Sequence, residues 1–345
     1  MHSGVMSARG GWPPGAREPL HDVLEYYTRY FRDDIVDLSS SSPHPTRFAT
    51  RCGIAAGEDD ATFVPPRGAR EVRERIAARY RRASADDIVL ANGASEALVA
   101  AANAVVSNCS TVAVERGVYP SFIEAARRNG AELSGAAGAP GATVIALCNP
   151  TVPGGQLHRR LPRAGTRRTV VVDESHLDIV YSSCTVDRAA DVSPAHVSIG
   201  GFSKSLGYGG LRIGWAVTRS PRLVHSIDRQ VQLLSGGPAS PAIEAALSAT
   251  DGMRERADLI HAVVRENAAR VYRELDACGW TYRPAEAGLT VEATPPPGTP
   301  GGLDRVLYAR GYFLVPCSVY GTAGSYRISL LAPVHHLRQA LKGVS

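Results

Sequence analysis

Five short runs of β-branched and apolar residues punctuate the chain: Ile88–Ala91, Thr111–Val114, Thr143–Cys148, Thr169–Val172 and His196–Ile199. The segments between them have helical composition. In Ala69–Arg81 and Ser95–Val106, apolar residues recur at three- and four-residue spacing, as on one face of a helix. This alternation predicts an α/β fold with a mostly parallel central sheet flanked by helices. After Pro241 the pattern changes. A long stretch, Ile243–Cys278, reads as helix with Arg, Glu and Asp between its apolar positions. The Pro/Gly-rich TPPPGTPGG at 294–302 reads as an exposed loop, YFLVPCSVYGTAGSYRISLLAP at 312–333 as short strands with turns, and a last helix begins near Val334. A large α/β domain over 46–245 and a smaller α+β domain built from 1–45 and 246–345 are expected.

Composition narrows the class. With 345 residues, a prior of roughly 150 per domain leaves room for two domains with large cores. At 44% apolar and 21% charged residues, wholesale disorder and collagen-like or coiled-coil designs are excluded. The 38 Lys and Arg against 33 Asp and Glu give +5, scattered along the chain, which argues against a nucleic-acid partner. Cysteines at 52, 109, 148, 184, 278 and 317 form no C-x-x-C pair and read as free thiols. The longest apolar stretch, Ala97–Val106, is interrupted by Asn103 and falls far short of the roughly 20 residues needed to span a bilayer. The first 20 residues hold no apolar run of signal-peptide length, so no membrane partner and a cytoplasmic location are expected.

In open parallel sheets ligands bind beyond the carboxyl ends of the strands, so the residue after each run is where chemistry is sought. Those residues are Asn92-Gly93-Ala94-Ser95-Glu96, Glu115 with Tyr119-Pro120, Asn149-Pro150, Asp173-Glu174-Ser175-His176 and Gly201-Phe202-Ser203-Lys204. Gly93-Ala94-Ser95 opens a helix, whose free amides attract a phosphate; a tight turn capped by Ser95 is the plainer alternative. Asp173 ends four apolar residues and needs a cationic or hydrogen-bonding partner to stay ionised. A heterocyclic N–H⁺ or a structural arginine would serve. Lys204 lies in GGFSKSLGYGGLRIGW, where six glycines accompany it and Arg212. A lysine at the end of a buried strand is a candidate nucleophilic amine. The segment fits no phosphate-loop pattern, and no dinucleotide-binding G-x-G-x-x-G follows the first strand.

Taken in order, Asn149-Pro150 with Pro153-Gly154-Gly155, Asp173-Glu174, Ser203-Lys204 with Gly210–Gly214, and Arg327 resemble the fold-type I pyridoxal-phosphate enzymes of the class I/II aminotransferase family. The resemblance covers roughly residues 35–340. It implies a Schiff base between Lys204 and pyridoxal 5'-phosphate, with Lys204 moving protons at the substrate carbon. Asp173 would hold the ring nitrogen protonated, Asn149 would donate to the phenolic oxygen and Tyr119 would stack on the ring. Gly93, Ala94, Ser95, Ser203 and Arg212 would share the phosphate, and Arg327 would clamp a substrate carboxylate, beside Asn149. A homodimer with shared active sites and a small amino-acid substrate are further implications. Transamination is the leading reaction; decarboxylation, or elimination with cyclisation, is the alternative. A catalytically silent binding module is disfavoured by the intact Lys204, Asp173, Asn149 and Arg212.

The chain departs from the family pattern in several places. His176 stands where a tyrosine usually donates to the phenolic oxygen, and Gly201 where a hydroxyl residue is common. Phe63 aligns loosely with a tyrosine that reaches the neighbouring subunit, and Ala131–Val144 and Gln156–Thr169 are short. The opening IVDLSSSSPHP and the closing segment resemble both histidinol-phosphate aminotransferases with threonine-phosphate decarboxylases, and capreomycidine synthases of antibiotic biosynthesis.

Overall fold

A computed structural model of the chain describes residue 30 and residues 36–39, 69–135, 141–181, 186–251 and 253–342. Phe63, Cys52, Cys184 and the first 20 residues lie outside them. The chain forms two compact units: one of Met1–Ser40, Val264–Pro284 and Thr290–Ser345, the other of Ser41–Val263 with Ala285–Leu289.

A two-residue strand, β1 (Val36–Asp37), belongs to the smaller unit. The larger unit begins with α1 (Arg70–Ala77), β2 (Ile88–Asn92), α2 (Gly93–Val105), β3 (Thr111–Val114), α3 (Pro120–Arg128) and β4 (Glu132–Ser134). It continues through β5 (Val144–Cys148), β6 (Thr169–Asp173), α4 (Ala189–Val192), β7 (His196–Gly201), α5 (Phe202–Ser205) and β8 (Ile213–Val217). Then come α6 (Pro221–Leu234), α7 (Ser240–Thr250) and the start of α8 (Met253–Ala277).

Seven strands form one sheet in the order β2-β8-β7-β6-β5-β3-β4. Every pairing is parallel except those of β8, which runs antiparallel to both β2 and β7. The exception has a simple cause. Only residues 202–212 separate β7 from β8, too few for the helical crossover that a parallel return requires. β5, β7 and β8 are buried along their whole length, as expected of strands covered on both faces. Small residues of α2, among them Ala97, Ala100 and Ala101, are fully enclosed and let the helix pack closely on the sheet and on α6. Proline occupies the first turn of both α3 and α6, where its missing N–H costs nothing.

Two boundaries differ from the sequence pattern. The 243–278 stretch is two helices, with α7 ending at Thr250 and α8 beginning at Met253. The larger unit also runs past residue 245 to Val263; α7 packs on α1 and is tied to it by Arg75, which donates to the Leu247 carbonyl at 2.7 Å.

In the smaller unit, β1 pairs in parallel with β11 (Tyr312–Phe313). An antiparallel sheet runs β12-β13-β10-β9 through Val315–Pro316, Tyr326–Ser329, Thr290–Thr294 and Thr281–Tyr282. α9 (Leu303–Ala309) and α10 (Val334–Leu341) complete it.

Candidate active site

At the carboxyl edge of the sheet, register places Asn92 of β2 opposite Ile213 of β8, and Gly214 of β8 opposite Gly201 of β7. Three chain segments meet there at close range. A Cβ on Gly214 would lie 2.2 Å from the Gly93 carbonyl carbon and 2.3 Å from the Ala94 nitrogen, so only glycine lets β8 pass this close to the start of α2. Gly93 itself has φ +83°, and a side chain there would strike the Arg212 guanidinium at 2.3 Å. Arg212 adopts the left-handed conformation at φ 52°, uncommon for a residue with a side chain and a recurrent mark of functional sites. Its guanidinium is braced by the Asn92 carbonyl at 3.3 Å and the Gly209 carbonyl at 3.2 Å. A cation thus sits over the N-terminus of a 13-residue helix, where unpaired amides and the helix dipole already favour an anion.

Asp173 closes β6 beside Cys148 of β5 and Ile199 of β7. Its Oδ1 accepts from the Ser175 hydroxyl at 2.6 Å and the Ser175 amide at 3.0 Å. Burial pushes its proton affinity up, and the Ser175 bonds and the attraction of Lys204 only partly offset that. A part-buried acid held this way is stabilised in its ionised form by a neighbouring cation. Lys204 and Ser203 lie on α5, one strand over, and keep exposed surface, as do Ala94, Ser95, Tyr119 and His176. Tyr119 is the N-cap of α3 and packs against the main core of the larger unit. His176 sits in the turn after β6; its Cβ and Nδ1 lie 3.5 Å from where a Gly288 side chain would begin.

Asn149 follows β5 directly, and its main-chain N–H donates to the Asp173 carbonyl at 2.9 Å. It is 0% exposed, and both ends of its amide are given to one residue: Nδ2 donates to the His158 carbonyl at 3.2 Å and Oδ1 accepts from the His158 amide at 3.0 Å. These two bonds fix the orientation of the Asn149 side chain at the end of β5 and close the loop that follows it. Arg327, on β13 in the smaller unit, is 6% exposed and donates to the Tyr320 hydroxyl at 2.6 Å. Tyr320 escaped the sequence reading, since nothing in its surroundings distinguishes it from a core aromatic.

The pattern that defines class I and II aminotransferases matches residues 35–139 and 163–343. The chain belongs to that family. This aminotransferase is 29% identical to a histidinol-phosphate aminotransferase of Symbiobacterium thermophilum, covering 94% of each chain. It is 26% identical to the arginine–pyruvate transaminase AruH of Pseudomonas aeruginosa, covering 90% of this chain and 87% of that one. Among solved structures, the pyridoxal-phosphate-dependent cyclase OrfR superposes with a TM-score of 0.80 at 24% identity over 96% of this chain and 97% of that one. Aspartate aminotransferase of Thermus thermophilus superposes with a TM-score of 0.77 at 19% identity over 92% of each chain. The family and fold are pyridoxal-phosphate-dependent. The stretch 140–162, which carries Asn149 and His158, lies outside the match, so the aminotransferase's own contacts decide what that loop does. Among the described residues, no helix is long and apolar enough to cross a membrane, and no group of three His, Cys, Asp or Glu side chains is placed to hold a metal ion.

Proposed function

We propose that this aminotransferase binds pyridoxal 5'-phosphate at the carboxyl edge of the seven-stranded sheet and transfers the amino group of a small amino acid. The arrangement supporting this is a cation-crowned helix N-terminus combined with a part-buried acid under the influence of a lysine. The first fits a phosphate, through the amides of Gly93, Ala94 and Ser95, the Ser203 hydroxyl and charge-assisted bonds from Arg212. The second fits a protonated pyridine nitrogen facing Asp173. Tyr119 supplies an aromatic face for the ring, and His176 a donor for its phenolic oxygen. When bound, the cofactor supplies an electron sink for bonds to the substrate's α-carbon.

The chain's own groups do the rest. Lys204 would hold the cofactor through Nζ, and the same amine, once free, would be the group that moves the substrate's α-proton. Asp173 would face the ring nitrogen and favour its protonated form, since a part-buried carboxylate is stabilised by a cation beside it. The family resemblance reserves Arg327, which donates to the Tyr320 hydroxyl, for a substrate carboxylate. A cytoplasmic homodimer completes the reading. The test is a single half-reaction. Protein loaded with pyridoxal phosphate is mixed with each of a panel of amines, including L-arginine and L-histidinol phosphate, and products are identified by mass. Stoichiometric pyridoxamine phosphate with a carbonyl product is the expected result; carbon dioxide or a cyclic product in its place would overturn amino transfer.

A further inference from the structure

The turn that carries Tyr119 is stitched to the loop outside the family match by a set of contacts that the reaction above does not use. Glu115, the residue after β3, faces His158 at the far end of that loop. Nε2 of the imidazole lies 2.9 Å from Oε1 and 3.1 Å from Oε2 of the carboxylate. The hydrogen bond to Glu115 raises the proton affinity of His158 above its ordinary value, against the opposing effect of burial, and so favours an ion pair. His158 in turn clasps the Asn149 amide at both ends through its main chain. Closer to Tyr119, the Cys148 amide approaches Glu115 Oε2 at 3.4 Å and the Cys148 thiol donates to the Gly117 carbonyl at 3.3 Å. Gly117, at φ +88°, leaves no room for a side chain, since a Cβ would fall 1.9 Å from the Val152 carbonyl oxygen. The turn from 115 to 119 therefore lies against the 148–158 loop, and the Glu115–His158 pair fastens the two with charge.

We infer that Glu115 and His158 form a positioning pair that fixes the Tyr119 turn, and with it the aromatic face on which the cofactor ring rests. The inference depends on the proposed cofactor site, but not on which amine is the substrate. Neither residue touches the reacting atoms; both act through Asn149, Gly117 and Tyr119.

Four proteins test it: wild type, Glu115→Gln, His158→Ala and the double variant, with His158→Gln as a conservative fifth that keeps a donor for the carboxylate. Hydrogen exchange of the 115–122 amides in cofactor-free protein reports the turn. The dissociation constant for pyridoxal phosphate and the visible circular dichroism of the bound cofactor report the ring's seat. Each single variant is expected to speed exchange in this segment, weaken cofactor binding about tenfold and alter the dichroism, with the double variant no worse than either single, as for two members of one interaction. His158→Gln should recover part of the affinity. Faster exchange or a lower melting temperature with unchanged affinity and dichroism would overturn the inference, as would additive losses in the double variant. A wild-type protein that binds no pyridoxal phosphate would instead overturn the cofactor site itself.

Discussion

Asp173 and Glu174 are neighbours on the chain with opposite surroundings. Glu174 turns inward, 1% exposed, to a cluster in which Asp178 bridges Arg79 and Arg188, and Arg188 lies 3.7 Å from Glu174 Oε2. Two acids and two guanidiniums balance there. Arg79 rests 5.1 Å above the Trp215 ring and Arg188 5.2 Å above that of Tyr80, whose hydroxyl accepts from the Trp215 indole at 3.2 Å. Among the described residues, Asp173 has the Ser175 hydrogen bonds and the field of Lys204. The inner cluster pairs its charges within the chain, although Glu174 Oε2 and Arg79 Nη1 make no hydrogen bond among the described residues, whereas in the proposed site the outer acid would be balanced by a cationic ring nitrogen. Charge that is satisfied within the chain builds the fold; charge left for a ligand builds the site.

Substitutions on the two sides should therefore separate activity from stability. The largest effect belongs to the outer side. Lys204→Ala removes the amine that both anchors and moves protons, and turnover should fall by at least the 10²–10⁴-fold typical of a positioned acid–base group. Unfolding by denaturant should change little. Full activity of this variant at saturating cofactor would sever the lysine from the chemistry.

On the inner side, Asp178→Ala leaves two buried guanidiniums with one acid between them. Arg79 and Arg188 outweigh the effect of burial and hold the Asp178 carboxyl well below the usual carboxylate range, which measures how strongly the three are coupled. Removing one partner of such a group costs about 3–5 kcal/mol, to be read from urea unfolding. Activity per folded molecule should stay near that of the wild type. A large loss of turnover with unchanged stability would mean that the inner cluster acts on the reaction and would erase the contrast.

An intermediate case lies at the phosphate cradle, where fold and site share the same backbone. Gly93→Ala would place a Cβ in the left-handed region, at about 1–2 kcal/mol, and would also displace the Arg212 guanidinium 2.3 Å away. Cofactor affinity should fall about tenfold, since a well-placed charged hydrogen bond is worth roughly 1.5–3 kcal/mol. Isothermal titration with pyridoxal phosphate reads it, and an unchanged dissociation constant would remove Arg212 from the phosphate site.

How far the sequence discloses these regions follows from the range of the contacts. Asp173, Lys204 and the Gly93 turn follow apolar runs and are visible as breaks after them, while Arg212 is marked by the glycines around it. The inner cluster is not, because Arg79 and Arg188 look like solvated charges on helical segments until the fold brings them to Asp178. Asn149 shows the same limit. A polar residue at a strand end reads alike in the sequence whatever its side chain meets, and the two bonds of Asn149 to His158 emerge only in the fold. The strand β8 was hidden by the glycine-rich stretch before it, though its IGWAV run is as apolar as the five that were read as strands.

The smallest effect, and the most direct test of the inner balance, is the pH dependence set by Glu174. Burial pushes its carboxyl up to about 7, with Arg188 and the Ala189 amide, which donates at 2.6 Å, only partly restoring ionisation. The folded protein then holds this proton more tightly than the unfolded chain, so its contribution is fully present below the ordinary glutamate range and is lost as pH rises toward 7. Glu174→Gln, which keeps the shape and carries no charge to desolvate, should match the wild type near pH 5 and become the more stable of the two by pH 8. Melting temperatures of both proteins across that interval measure it. If the wild type gained on the variant as pH rose, the ionised glutamate would be a net stabiliser of the cluster, and its pairing with Arg188 would be stronger than the 3.7 Å separation allows.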